Sequence, residues 1–167
     1  LHAGVLTAAI LALVVAAGLW WAYFDVVALV AERRFRQTEG DARILMARDS
    51  YSYLHLPMIA GITLIALGFK KTIAHIDEPL DLVPATALLG GIALYFAGHV
   101  AFRLRNLGTV NRPRTLVLVV SLALIPVATQ VDALVALGMA AVVTTALIAY
   151  EALRYAEARR NIRTASE

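Results

Sequence analysis

Three ionisable residues interrupt long apolar runs in this sequence: Asp25, His55 and His99. An acid and two imidazoles gathered in one place can relay protons or ions, or line a polar substrate pocket. Such groups are costly in an apolar medium and tend to face one another inside a bundle. Tyr51 and His55 are four residues apart, as are Tyr95, His99 and Arg103. Each set therefore shares one helix face. The structural alternative is that Asp25 pairs with a neighbouring arginine while both histidines hydrogen-bond near the headgroups. A zinc site is not expected, because two histidines and an aspartate on three separate helices lack the local spacing of metal motifs. No cofactor is expected either. The sequence holds no phosphate loop, dinucleotide fingerprint, nucleophile elbow or metalloprotease motif. Cysteine is absent, which excludes disulfides and thiol chemistry. An intramembrane enzyme using histidine, aspartate and tyrosine for acid–base chemistry is the least favoured reading.

The elements that must position these residues are apolar helices. Of the 167 residues 60% are apolar and 16% charged, where a soluble domain carries about a quarter; mean hydropathy is +0.74. A hydrocarbon core of about 30 Å takes roughly 20 helical residues. Period-two alternation is missing, so strands are not expected. The spacing predicts an all-α, polytopic transmembrane helical bundle, a single transmembrane region over 1–167. Its spans lie at about 3–31, 50–69, 82–102, 114–128 and 131–153. Pro57 lies within a continuous kinked helix, or else marks the helix start with 48–56 along the interface. Thr115–Tyr150 forms one apolar region of 36 residues. As one helix it would be about 54 Å long, too long for one span. Pro126, Thr129, Gln130 and Asp132 mark the tip of a hairpin, with Asp132 placed to cap the second arm.

Charge gives the direction. With five spans, thirteen of the fifteen Lys and Arg residues fall on one side, leaving Lys70 and Lys71 on the other. Positive residues mark the cytoplasmic side, so the N-terminus is outside and the C-terminus cytoplasmic. A single span over Thr115–Tyr150 would weaken the split to nine against six. The five-span arrangement brings Asp25, His55 and His99 into one leaflet. The net charge of +3 then reflects membrane orientation rather than nucleic-acid binding. The arginines can also attract anionic lipids. Trp20, Trp21, Tyr23, Phe24, Tyr51, Tyr53 and Tyr150 fit an aromatic belt. Small residues at four-residue spacing (Gly4, Ala8, Ala12 and Ala16; Ala93, Ala97 and Ala101; Ala136, Ala140 and Thr144) permit close helix approach. The start at Leu1 points to a fragment of a longer chain.

Two motifs are distinctive together: Trp20-Trp21-Ala22-Tyr23-Phe24-Asp25, and Arg48-Asp49-Ser50-Tyr51-Ser52-Tyr53-Leu54-His55-Leu56-Pro57. With Ile59-Ala60-Gly61, Ala66-Leu67-Gly68 and Ala149-Tyr150-Glu151, they resemble the C-terminal half of the bacterial low temperature requirement A family. The resemblance implies a multi-pass protein of the bacterial inner (plasma) membrane. It adds weight to Asp25, Tyr53 and His55 and supplies no substrate. The best functional expectation is a secondary transporter or channel component whose polar pathway uses Asp25, Tyr53, His55, His99 and Arg103. The alternative is a structural or accessory membrane protein that binds a partner complex or lipids. The expected partners are the lipid bilayer, anionic lipids, and a membrane protein or the N-terminal half of the family.

Overall fold

The computed structural model describes residues 3–24 and 35–154. The described residues form helices and connecting turns. We number the helices α1 (Ala3–Phe24), α2 (Gly40–Met46), α3 (His55–Ala74), α4 (Leu82–Ala85), α5 (Gly91–Leu107), α6 (Arg112–Ala128) and α7 (Ala133–Arg154). Two π-helical stretches, Ala47–Tyr53 and Thr86–Gly90, lead into α3 and α5. Residues 25–31 of the first expected span and the tail after Arg154 lie outside the described residues.

Four helical segments are long and apolar enough to cross a membrane: α1, Arg43–Ala74, Leu82–Leu107 and α7. Helix α6 has 17 residues, about 26 Å at 1.5 Å per residue. The outer surface is apolar. Leu6, Ile10 and Leu13 on α1 are more than half exposed, as are Ile59 on α3, Leu116 on α6 and Val142 on α7. A water-facing surface rarely carries apolar area on this scale, whereas a lipid-facing one must.

Helix α5 is central. Of the most apolar stretch of Leu82–Leu107, 67% is buried, against 22% in α1. Leu88 and Leu89 in the π-helical stretch before α5, and Ile92 and Phe96 in α5, are fully buried. Helix α3 lies against α5 so closely that only glycine fits along the seam. A Cβ on Gly61 would stand 2.7 Å from the Gly91 carbonyl oxygen and the Tyr95 backbone nitrogen, and one on Gly68 would stand 2.7 Å from Leu88 Cα. In lipid, where apolar burial gives helices no drive to associate, such backbone contact supplies the attraction. Helix α1 packs on α7 with Ala8, Ala12, Val15, Leu19 and Ala22 inward. Ala16 is exposed. A four-residue step overshoots a full turn by about 40°, so a strict four-residue stripe drifts off the packed face.

The backbone breaks have local causes. Pro57 lies in the first turn of α3 and withholds a donor from the Tyr53 carbonyl. The π-helical stretch ends at that same residue, and the Leu54 N–H reaches back to the Asp49 carbonyl at 3.0 Å. The helical path thus continues through Pro57 with a change of hydrogen-bond register. Helix α5 stops where Gly108 adopts φ 65° and its N–H caps Leu104. Helix α6 starts with the Asn111 side chain accepting from the Arg114 N–H, with Pro113 in the first turn. The hairpin tip between α6 and α7 is closed by the Thr129 and Gln130 side chains on the Pro126 carbonyl. The start of α7 is held otherwise than by the Asp132 side chain: Ala133 and Leu134 donate to the carbonyls of Glu78 and Ile76 at 2.9 and 3.1 Å. The loop before α4 satisfies these donors first, so a side-chain cap is superfluous.

The glycine seam makes a direct prediction. Gly61→Ala forces a methyl onto backbone atoms that cannot yield locally and should cost about 1–3 kcal/mol. Gly138→Ala, where a Cβ meets nothing within 4 Å, should be neutral or slightly stabilising. Thermal unfolding of the two variants in detergent checks the contrast.

Candidate functional site

The C-terminal ends of α1, α5 and α7 and the N-terminal ends of α3 and α6 meet at one end of the bundle. Two polar networks lie there, separated by aromatic rings.

The first is centred on Arg114, in the first turn of α6 and 4% exposed. Its Nε and Nη2 donate to the two Glu151 carboxylate oxygens at 2.8 Å each, a bidentate pair to α7. Nη2 also donates to the Ala22 carbonyl of α1 at 3.0 Å. Nη1 donates to His99 Nδ1 of α5 at 2.8 Å. Four of the five guanidinium N–H groups are thus used on three other helices. Asn111 Nδ2 adds a long contact to Glu151 at 3.4 Å.

A guanidinium only donates, so His99 Nδ1 must be unprotonated in this arrangement, and the proton sits on Nε2. That Nε2 is buried with no hydrogen-bond partner among the described residues. Around it stand aromatic rings: Tyr95 at 4.6 Å, Phe96 at 5.9 Å and Tyr23 at 6.1 Å between centroids. Tyr95 is held by its own hydroxyl, which donates to the Leu19 carbonyl at 2.7 Å.

The second network starts at Tyr23. His55 Nδ1 lies 2.9 Å from the Ser50 carbonyl, an acceptor only, so Nδ1 carries the proton. His55 Nε2 therefore accepts from the Tyr23 hydroxyl at 2.8 Å. Ser50 Oγ donates to Asn106 Oδ1 at 2.8 Å, and Asn106 Nδ2 donates to the Phe102 carbonyl at 2.9 Å. The arrangement puts Tyr23 between the two histidines, with ring centroids 5.7 Å from His55 and 6.1 Å from His99.

Of the expected site residues, His55 and His99 are brought to the two sides of one tyrosine. Tyr53 is 63% exposed on the outer surface. Arg103 turns to the rim, where its Nε donates to Thr109 Oγ1 at 3.1 Å. Asp25 and the Tyr51 side chain lie outside the described residues. Sequence reasoning missed Arg114, Glu151, Ser50 and Asn106 as site residues, and Tyr23 beyond its place in the aromatic belt. One signal was available: Arg112 and Arg114 sit in the first turn of α6, where a cation opposes the helix dipole and calls for a compensating acid. Glu151, at the end of an apolar run, is that acid.

Chemically the site offers donors and acceptors in a low-dielectric setting. Tyr23 and His55 form a donor–acceptor pair, and His99 presents a buried N–H. No group of His, Asp or Glu among the described residues could hold a metal ion.

The Arg114–Glu151 pair predicts a non-additive mutant cycle. Arg114→Met or Glu151→Leu alone strands a buried charge and should cost about 3–5 kcal/mol. The double variant should recover a large part of that loss. Unfolding of the three variants in detergent measures the coupling.

The family model of the bacterial low temperature requirement A protein (LtrA) matches residues 1–149. Tyr23, His55, His99 and Arg114 fall inside the match, and Glu151 falls two residues beyond it. No curated protein and no solved structure matches the chain. The match covers most of the sequence, and four of the described helical segments are long and apolar enough to cross a membrane. The chain is a membrane protein and belongs to the bacterial low temperature requirement A family.

Proposed function

We propose that this chain is part of a multi-pass protein of the bacterial inner membrane, a secondary transporter or channel component whose polar pathway opens at the arginine-rich end. Five spans run with the N-terminus outside and the C-terminus in the cytoplasm. The thirteen-to-two division of Lys and Arg supports this orientation. Helix α6 serves as the fourth span, at the short limit of about 17 residues. Arg112 at its end lengthens it by reaching to the headgroups.

The observation that carries the transport reading is the pairing of Tyr23 with His55 beside the buried N–H of His99, which has no hydrogen-bond partner among the described residues. A buried donor without an acceptor costs about 1–3 kcal/mol. A structural bundle gains nothing by keeping one. A pathway that must receive a proton or a polar solute does, because the donor recovers its hydrogen bond when the cargo passes. His55 accepts the hydrogen bond of the Tyr23 hydroxyl, and Asp25, one residue after α1 in the sequence, is the carboxylate of the proposed pathway. Tyr53 and Arg103 flank the entrance at the rim.

The test is a proton-flux measurement on the full-length protein in liposomes with a trapped pH indicator. The wild type should dissipate an imposed pH gradient faster than empty liposomes. His55→Gln and Asp25→Asn should each lower that rate at least about tenfold, a barrier increase of about 1.4 kcal/mol, while melting normally. Flux no faster than in empty liposomes, or unchanged in both variants, would overturn the reading.

A further inference from the structure

On the outer face of the bundle, between α6 and α7, runs an apolar groove of about 690 Å³. Leu116 and Val120 form one wall, Val143 and Ala146 the other. One end differs from the rest. There the groove is lined by Arg112 and Tyr150. Arg112 is exposed and makes no hydrogen bond or ion pair among the described residues. Arg154 is also exposed and lies eleven residues after Val143. Eleven residues return to nearly the same bearing on a helix, within about 20°, so Arg154 continues the Val143–Tyr150 face to the same end. Among the described residues Glu151 is an acid of this same end, and it is already engaged by the buried Arg114 and by Asn111.

This pattern is amphiphilic along one axis. From Arg112 to Val120 the groove spans about 12 Å, less than half of a hydrocarbon core of about 30 Å and so the depth of one leaflet. A ligand that fills it must be apolar along its length and negative at one tip. Two guanidinium groups with no ion pair among the described residues suit a phosphate, which arginine binds bidentately. A tyrosine at the same level provides the headgroup contact typical of the membrane interface. We propose that this groove is a binding site for one anionic phospholipid of the leaflet at the arginine-rich end. One acyl chain lies between α6 and α7, and the phosphate lies on Arg112 with Arg154 beside it. The assignment rests on the groove and its charges alone and holds whatever the bundle transports.

The proposal is tested by native mass spectrometry of the full-length protein, titrated with phosphatidylglycerol and phosphatidylcholine of identical chains. The wild type should prefer phosphatidylglycerol by about fivefold, equivalent to about 1 kcal/mol. Arg112→Gln should reduce the preference to less than about twofold without lowering the melting temperature. Ala146→Trp, which fills the groove, should weaken retention of both lipids. Val143→Phe serves as a second filler if the tryptophan variant does not fold. Inorganic phosphate alone should not displace the lipid. Equal retention of the two lipids by the wild type, or an unchanged preference in Arg112→Gln, would overturn the site. Displacement by phosphate, or full retention in a folded groove-filling variant, would overturn the seat for the acyl chain.

Discussion

The guanidinium of Arg114 ties four helices together at one end of the bundle. It binds a carboxylate on α7, an imidazole on α5 and a backbone carbonyl on α1, and is itself anchored at the start of α6. No apolar residue could replace this arrangement with the same directional demand. A leucine at position 114 would be as content against lipid as against protein, since lipid tails are equally apolar. A buried cation has no such freedom: it must find Glu151, and Glu151 must find it. The pair thus specifies which helices meet, and its desolvation cost is offset by the Ala22 carbonyl and His99 Nδ1, which accept from Arg114, and by the Asn111 amide beside Glu151.

That constraint also shapes the chemistry. Because Arg114 takes Nδ1 of His99, the imidazole must present its remaining proton at Nε2, among aromatic rings and with no hydrogen-bond partner among the described residues. Across Tyr23, His55 shows the opposite tautomer, with Nδ1 protonated toward Ser50 and Nε2 accepting. The same residue type thus has two roles, each set by what holds its other nitrogen. The π-helical stretch Ala47–Tyr53 carries Ser50 and ends two residues before His55. Such stretches are frequent at functional sites because they widen the helix and re-aim side chains locally. The glycine seam between α3 and α5 supplies the complementary rigidity, since it holds His55 and His99 on helices whose backbones touch.

The helical class of the fold was legible in the sequence, because apolar runs near 20 residues have few other physical solutions. Pro126 and the polar residues after it marked the break between α6 and α7. The central place of α5 was less legible: it is less apolar than α1, and only packing reveals that it is the enclosed one while α1 faces lipid. At the site, His55 and His99 were readable as polar residues in apolar surroundings. Arg114 was not, because a run of loop arginines reads as orientation signal and only tertiary contact separates the one that turns inward from those that face headgroups. Tyr53 was readable from its nearness to His55, and its side chain lies on the outer surface. It adjoins His55 in sequence but is two residues away, and a helix places such neighbours on different faces.

The account stands on the hydrogen bond between Arg114 and His99, and nitrogen NMR of the histidine rings tests it most directly. In protein labelled with nitrogen-15 at histidine and assigned by His99→Gln, His99 should show an unprotonated, hydrogen-bonded Nδ1 and a protonated Nε2 at neutral pH. Arg114→Gln should shift the Nδ1 resonance. A protonated Nδ1, or a His99 spectrum indifferent to Arg114→Gln, would contradict the account.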